Sequence, residues 1–507
     1  MTASPEPTIL ARTARGANWM IAWRLANRIL GLLSMLIALR LLSPDDFGLM
    51  TLAFTFSLAL EAFTALGVEA QIVRSRNADR ALYDTAFTFN VLRASLLAGL
   101  VAAGSGPVAA WFADDRLRDI LLVFAGNVLL NGVISIRTAR FQRDLEFGKI
   151  FLLRLVPRLV QVTCTISLAI VFRNYWALVL GIVTGSLVSV GISYALAPYR
   201  PRLTLVAWRE LLGVSVWTWL INVISVLRDR TEMFIIGRSF GTIQAGLFSV
   251  AQELAALPVT ELVSPISHAA MPGFAAEIRQ QGLGQAAIAF LRVTMLAILL
   301  AVPIGTGTSL VSGPFISLTI GQRWAEAAPL MALIAIMMVP IAPGLIGGAL
   351  LTARAKLRTL CAITTAAALL RGGVAIAVTR HWGLTGIAFG MGFSLLVENA
   401  LLLFAACRDA ALPPRRLFAA AWRPVTAATV MALALEGAGL AWLPPPPAAA
   451  AALALVGAAV LGASVFTAAA AVLWLLAGRP QGAETDALLL ARRAVADFVT
   501  KLNRLGS

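Results

Sequence analysis

From Trp19 to Ala477 the chain is a succession of apolar runs, each close to the ~20 residues an α-helix needs to cross the hydrocarbon core of a bilayer. Lipid offers the backbone no hydrogen-bond partners, so runs of this kind predict an all-α integral membrane protein. Composition agrees. The 507 residues are 59% hydrophobic and only 13% charged, with mean hydropathy +0.84, whereas soluble domains carry about 25% charged residues.

Fourteen spans are expected. Six, at roughly 19–42, 47–73, 85–111, 119–141, 150–172 and 175–197, form an N-lobe over 19–197 after an N-terminal segment 1–18. A polar linker at 198–210 precedes a C-lobe over 211–407, with spans near 211–237, 243–271, 286–312, 324–352, 359–380 and 383–407. Two further spans fill 408–477, separated by Pro444–Pro447, and an amphipathic tail occupies 478–507, with Val495, Phe498, Leu502 and Leu505 at helical spacing. Arginines interrupt the first run and no small-residue cleavage site follows Leu42, so that run reads as a retained helix rather than a signal peptide.

Basic residues set the expected topology. With the N-terminus inside, cytoplasmic segments hold 24 of the 41 Lys and Arg, the opposite loops 6, and the spans 11. Such asymmetry is the positive-inside pattern, and both termini are expected in the cytoplasm. It also explains the net charge of +16 and pI of 11.2 without nucleic acid, through anionic lipid headgroups. Two histidines, His268 and His381, and three scattered cysteines, Cys164, Cys361 and Cys407, indicate neither metal nor disulfide. No loop is long enough for a catalytic or nucleotide-binding domain, so neither enzymatic activity nor a cofactor is expected.

An internal echo stands out. Arg40-Leu-Leu-Ser-Pro-Asp-Asp-Phe-Gly48-Leu49 aligns with Arg238-Ser-Phe-Gly-Thr-Ile-Gln-Ala-Gly246-Leu247 at an offset of 198 residues. Six spans separate the copies, an even number, which predicts two lobes related by a pseudo-two-fold along the membrane normal.

Charges inside the spans are the candidate site residues. A guanidinium at mid-bilayer costs at least about 3 kcal/mol, so it faces a polar cavity or a partner. Arg24 and Arg28 share a helix face with Asn27 beside them. Arg28 and Arg371 lie about 15–18 Å deep and Arg93 about 12 Å. Arg24, Arg154, Arg158 and Arg292 are close enough to one face to snorkel. Among the carboxylates Glu61, Glu253 and Glu398 are deepest, with Glu69, Glu261 and Glu436 nearer the span ends. Each carboxylate could take up a coupling proton or neutralise a neighbouring arginine. Arg228, Asp229, Arg230 and Glu232 form a dense cluster in span seven, read as an outer gate or a set of structural pairs, with Arg228 and Glu232 four apart. Pro258, Pro265, Pro340 and Pro343 permit kinks.

Several motifs together resemble the polysaccharide-type (Wzx-like) flippases of the multidrug/oligosaccharidyl-lipid/polysaccharide exporter (MOP) superfamily. They are Leu39-Arg40-Leu-Leu-Ser-Pro-Asp-Asp-Phe-Gly-Leu49, Ala65-Leu-Gly-Val-Glu-Ala-Gln-Ile-Val-Arg74, Phe141-Gln-Arg-Asp-Leu-Glu-Phe147, and Ile236-Gly-Arg238 followed by Ala245-Gly-Leu-Phe-Ser249. The resemblance spans residues 10–410 and departs from the family at Thr231, where an aspartate is usual, and at Phe248 and Gln252, where tyrosines are. It implies a bacterial inner-membrane protein that flips undecaprenyl-diphosphate-linked oligosaccharide repeat units to the periplasmic leaflet by alternating access of two lobes. Partners implied are that lipid-linked substrate, membrane lipids and the polysaccharide polymerase or export machinery. Arginine's planar fork suits a diphosphate, which makes Arg28 and Arg93, with Arg24 nearer the opening, the expected cradle. A multidrug exporter of the same superfamily, a membrane-embedded polymerase or ligase, and a non-transporting scaffold are the competing readings. Deep arginines argue against the first, and the short outer loops against the second.

Overall fold

A computed structural model describes residues 9–64, 72, 75, 79–211, 216–413, 415–480, 482, 484 and 485, with side chains from Trp19 onward except at 21, 211 and 420. Glu69 and the tail beyond residue 485 lie outside the described residues, and the side chains of Arg12 and Arg15 outside the described side chains. All regular structure among the described residues is helical. The chain forms two compact units, Met1–Gly246 and Leu247–Ser507.

In the first unit, helices α1 (Ile9–Leu41), α2 (Pro44–Thr64), α3 (Arg80–Phe112), α4 (Arg116–Gly132), α5 (Phe147–Phe172) and α6 (Trp176–Leu196) run up and down, followed by the first arm of α7 (Val216–Gln281). Three connections meet at one end. Pro44 opens α2, where a missing N–H costs nothing. Ser43 and Asp46 cap the helix reciprocally: Asp46 N–H donates to Ser43 Oγ at 3.3 Å, and Ser43 N–H donates to Asp46 Oδ2 at 3.0 Å. The other oxygen of Asp46 accepts the Tyr175 N–H at 2.9 Å, pinning the start of α6. Asp45 accepts both terminal nitrogens of Arg116, at 2.7 and 3.2 Å, and the Thr242 hydroxyl. Replacing buried Asp46 with alanine removes a cap and orphans the Tyr175 N–H, an expected cost of about 1–2 kcal/mol, readable as a lower unfolding temperature in detergent.

The repeated turns touch each other here. A Cβ on Gly48 would fall on the Thr242 carbonyl and one on Gly246 on the Pro44 carbonyl. Pro44 and Thr242 are separated by the same 198 residues as Gly48 and Gly246, so the contact is reciprocal, as a local two-fold requires.

At the opposite end Asp79 caps α3, accepting the Leu82 N–H at 2.9 Å. α4 stops at Gly132, and a 56° bend separates it from a continuation through Ile136–Arg143, where the sequence pattern suggested one straight span. The bend persists because α6 takes over the freed polar groups. Ser135 N–H donates to Ser193 Oγ at 3.1 Å, and the Tyr194 hydroxyl donates to the Val133 carbonyl at 3.0 Å.

The second unit holds the remainder of α7, then α8 (Leu283–Leu310), α9 (Ala327–Met337), α10 (Ile341–Ala353), α11 (Leu357–Asp409), α12 (Arg415–Gly437) and α13 (Ala448–Leu476). Its core packs Val259, Val263, Phe274, Phe290, Ile346 and Leu350. Pro340 lies in the 44° break between α9 and α10. The last two helices bury Met431, Leu435 and Ala458 with Leu310, and the Trp442 N–H donates to the Leu310 carbonyl at 2.8 Å.

Among the described residues ten helices are long and apolar enough to cross a membrane, or up to twelve if each of two bent pairs is one span. Two of the ten are longer than a single crossing needs. α7 has 66 residues and leaves helical geometry at Gly241 (φ +82°); α11 has 53 and does so at Gly383 (φ +59°), both conformations that glycine tolerates. At about 1.5 Å per residue they measure about 100 and 80 Å, against a hydrocarbon core of about 30 Å.

Candidate functional site

Two faces of identical spacing build a polar cavity inside the first unit. Phe54, Ser57, Leu58 and Glu61 line it from α2, and Phe124, Asn127, Val128 and Asn131 line it from α4, each set at i, i+3, i+4, i+7. Arg93, Leu97 and Val101 complete it from α3, and Ile182 from α6. The helices close up beside it because Gly132 has no side chain: a Cβ there would fall on the Ala94 methyl. The rings of Phe54 and Phe124, 5.0 Å apart, form part of its apolar wall.

The cavity measures about 180 Å³. At about 30 Å³ per water that is room for about six waters, the size of a diphosphate or one sugar ring. Arg93 lies about 20 Å along α3 from its start, well inside the span. It has no ion-pair partner among the described residues, and neither does Glu61. Asn131 Nδ2 donates to the Asn127 carbonyl at 3.0 Å and sits 3.5 Å from Ser186 Oγ. Asn127 Oδ1 is buried and accepts no hydrogen bond among the described residues. Such an orphaned acceptor in a low-dielectric interior calls for a donor from a bound group. A donor-only guanidinium, two amides, a hydroxyl and a carboxylate therefore share one small space, able to satisfy phosphate oxygens and sugar hydroxyls together.

Of the residues singled out in the sequence, Arg93 and Glu61 meet in this cavity. Arg24, Asn27 and Arg28 do not line it; on α1, Arg24 and Asn27 are exposed and Arg28 is half-buried. Arg158 on α5 reaches α1, its guanidinium 3.3 Å from where a Cβ on Gly31 would stand, and bonds Gln161 at 3.2 Å. In span seven Arg228 pairs with Asp229 at 2.9 Å, Arg230 is half-buried and Glu232 is 2% exposed. In the second unit Arg371 and Glu398 are buried on opposite sides of Gly383, each engaged by its surroundings, and Glu253 is exposed on α7. Asn127, Asn131 and Ser57 were not legible as site residues. Their signal was two amides four apart on the face of α4 that also carries Phe124 and Val128.

Comparison with known proteins places this site in context. The family described as "Polysaccharide biosynthesis protein" matches residues 37–329. The chain is 24% identical over 364 residues to "Lipopolysaccharide biosynthesis protein WzxC" of Escherichia coli (strain K12), covering 68% of this chain and 70% of that one. It is 22% identical over 334 residues to "Succinoglycan biosynthesis transport protein ExoT" of Rhizobium meliloti (strain 1021), covering 65% and 67%. Among solved structures the fold is similar to "Lipid II flippase MurJ, inward closed conformation", with a TM-score of 0.71 at 13% identity over 90% of this chain and 99% of that one. A "multidrug resistance MATE family transporter of the MOP superfamily" in an inward-facing conformation gives 0.61 at 13% identity over 76% and 94%.

Proposed function

Because the chain belongs to the polysaccharide biosynthesis protein family, we infer that it is a flippase carrying polyprenyl-diphosphate-linked oligosaccharide repeat units across the bacterial inner membrane for exopolysaccharide or lipopolysaccharide synthesis. The observation that carries this reading is Arg93. A guanidinium held deep in a span, lining a cavity with no ion-pair partner among the described residues, is a costly feature unless an anion visits it. The relatives' names, a lipopolysaccharide biosynthesis protein and a succinoglycan transport protein, supply the chemistry of that visitor. MATE-type exporters share the fold, so fold does not separate the two classes. The cavity supports the polysaccharide reading, because a mid-span guanidinium repels cationic drugs and attracts a diphosphate.

In this reading Arg93 and the Asn131 amide hold phosphate, while Asn127 Oδ1 accepts a hydroxyl of the first sugar. The small volume grips the linkage, leaving the rest of the glycan outside it. Glu61 is the ion-coupling position nearest the phosphate, with Glu253 and Glu398 as further ion-coupling or charge-pairing positions. Arg24, Asn27 and Arg28 receive the headgroup along α1, Arg371 stabilises it in the second half, and Arg228, Asp229, Arg230 and Glu232 act at an outer gate. The segments around Arg80, Arg137–Arg143 and Arg200 face the cytoplasm, as do both termini, and fourteen crossings in two six-helix lobes plus two C-terminal helices rock around the substrate. The length of α7 and α11 supports the span count, and the reciprocal Gly48–Gly246 contact supports the repeat. Transport itself requires no bond-making step.

Deleting the gene tests the function. Lipid-linked repeat units are expected to accumulate in the cytoplasmic leaflet while surface polysaccharide disappears. Normal surface polysaccharide with no accumulation would sink the assignment.

A further inference from the structure

A second cavity, of about 740 Å³, opens at the end of the first unit where α3 begins, and five arginines line it: Arg80, Arg137, Arg140, Arg143 and Arg200. They come from three separate segments of the chain. Among the described residues one carboxylate, Asp144, lines it with them and pairs with Arg140 at 2.7 Å, while Arg80 stands 3.6 Å from Asp84 behind the wall. Segments that merely obey the positive-inside pattern have no reason to converge on one concavity.

This concavity is also braced. The Tyr199 hydroxyl donates to buried Asp84, whose Oδ1 also accepts the Arg202 N–H at 3.1 Å. Burial, then this bond, pushes the Tyr199 phenol up, so it stays a donor throughout the physiological range. Further along, Thr204 N–H donates to Thr88 Oγ1 at 2.9 Å and Ala207 N–H to Thr85 Oγ1 at 3.2 Å. On the other wall Ser135 Oγ donates to the Ala197 carbonyl at 3.0 Å, and Arg137 to the Pro198 carbonyl at 3.0 Å. Both rims of the cavity are therefore fixed before any ligand arrives, which lowers the entropy cost of binding.

The two cavities share their walls. α3 carries Arg80 into the basic cavity and Arg93 into the membrane cavity, 13 residues further along and so about 20 Å away. The segment Ile136–Arg143, which carries Arg137, Arg140 and Arg143, follows α4 with its Asn127 and Asn131 across the 56° bend.

We propose that the arginine-lined cavity is a docking station for a lipid headgroup bearing two phosphates, at the mouth of the path that leads to Arg93. Converging guanidinium forks match phosphate oxygens bidentately, and a concave site of one sign concentrates anions from the membrane surface. A polyprenyl diphosphate and a two-phosphate phospholipid share this chemistry. The role as a station on the transport path rests on the flippase reading; binding itself does not.

Binding is measured on the full-length protein in phosphatidylcholine nanodiscs by native mass spectrometry, with farnesyl diphosphate and tetraoleoyl cardiolipin as separate probes. The Arg137→Gln/Arg143→Gln/Arg200→Gln variant is expected to bind at least one probe tenfold or more weakly than the wild type, and the matching Arg→Lys triple variant to recover part of the loss. Loss for farnesyl diphosphate alone assigns the site to the carrier, and loss for cardiolipin alone to a phospholipid; either supports the station. Unchanged binding of both probes in a monodisperse glutamine variant overturns it. So does a loss that the lysine variant fails to recover when both variants also unfold at a lower temperature than the wild type, which marks a fold defect instead of an anion site. Without that drop, failure of lysine marks the need for the guanidinium fork. Arg93→Ala, compared in parallel, separates the two sites: binding abolished by Arg93→Ala alone contradicts the station and leaves the flippase reading standing.

Discussion

Arg93→Ala is expected to cut export of lipid-linked repeat units by about 10- to 100-fold while leaving the amount of protein in the membrane unchanged. Hydrogen bonds to a charged group contribute about 1.5–3 kcal/mol, and 1.4 kcal/mol is a factor of ten. One or two such bonds to a diphosphate account for that range. Removing the guanidinium also relieves the cost of holding a charge at that depth, so folding should not suffer. A structural arginine would behave differently. Its loss would strand a buried carboxylate and lower protein abundance along with transport. Arg93→Lys keeps the charge but loses the fork, and should restore only part of the activity. Quantitative immunoblotting of membranes beside measurement of surface polysaccharide separates these outcomes. Full polysaccharide in the alanine variant would remove Arg93 from the site.

The second large effect belongs to the glycine crossing. At Gly48 and Gly246 an added Cβ meets a backbone carbonyl, which cannot rotate away as a flexible side chain can. Gly48→Val and Gly246→Val must therefore part the two segments. Overpacking costs typically about 1–3 kcal/mol, and backbone contacts sit at the upper end of that range. Parting them would also stretch the Asp45–Thr242 bond, which lies beside the crossing. Because each glycine faces the other's segment, the double variant should lose less than the two single losses added together. Gly99 and Gly106, with nothing among the described residues within 4 Å of a new Cβ, serve as controls. Alanine at either should be neutral or slightly stabilising, since alanine favours helix by about 1 kcal/mol. Unfolding temperatures in detergent decide the matter, and equal behaviour of Gly48→Val and Gly99→Val would refute the close contact.

These two sites also show what could be read from the chain alone. The crossing was visible as a repeat, since Gly48-Leu49 and Gly246-Leu247 follow arginines at equal spacing. What the repeat could not say was that its two copies meet face to face. Arg93 was visible because a charge in an apolar run is conspicuous, and so was Glu61. Asn127 and Asn131 were not, because an uncharged amide barely lowers the hydropathy of its run and gains meaning only when Arg93 stands opposite. The break after Gly132 was hidden for a related reason. It depends on Ser193 and Tyr194, some sixty residues away, to satisfy the polar groups of a helix that stops. The excess of arginine in segments 74–80, 137–149 and 200–209 was plain from the count. That Arg80, Arg137, Arg140, Arg143 and Arg200 close around one cavity followed only from the bonds of Tyr199, Thr204 and Ala207 to α3.

The central claim, that this protein moves a diphosphate-linked glycan across a bilayer past Arg93, is tested most directly in reconstituted vesicles. A polyprenyl-diphosphate oligosaccharide is placed in both leaflets, and the fraction open to a membrane-impermeant oxidant such as periodate is followed over time. Without protein, about half should be oxidised and the remainder protected by the slow spontaneous crossing of a charged headgroup. With the wild-type protein oxidation should approach completion, while vesicles carrying Arg93→Ala should stay near the protein-free level. Protection unchanged by wild-type protein, or completion in both wild type and Arg93→Ala, would contradict the account.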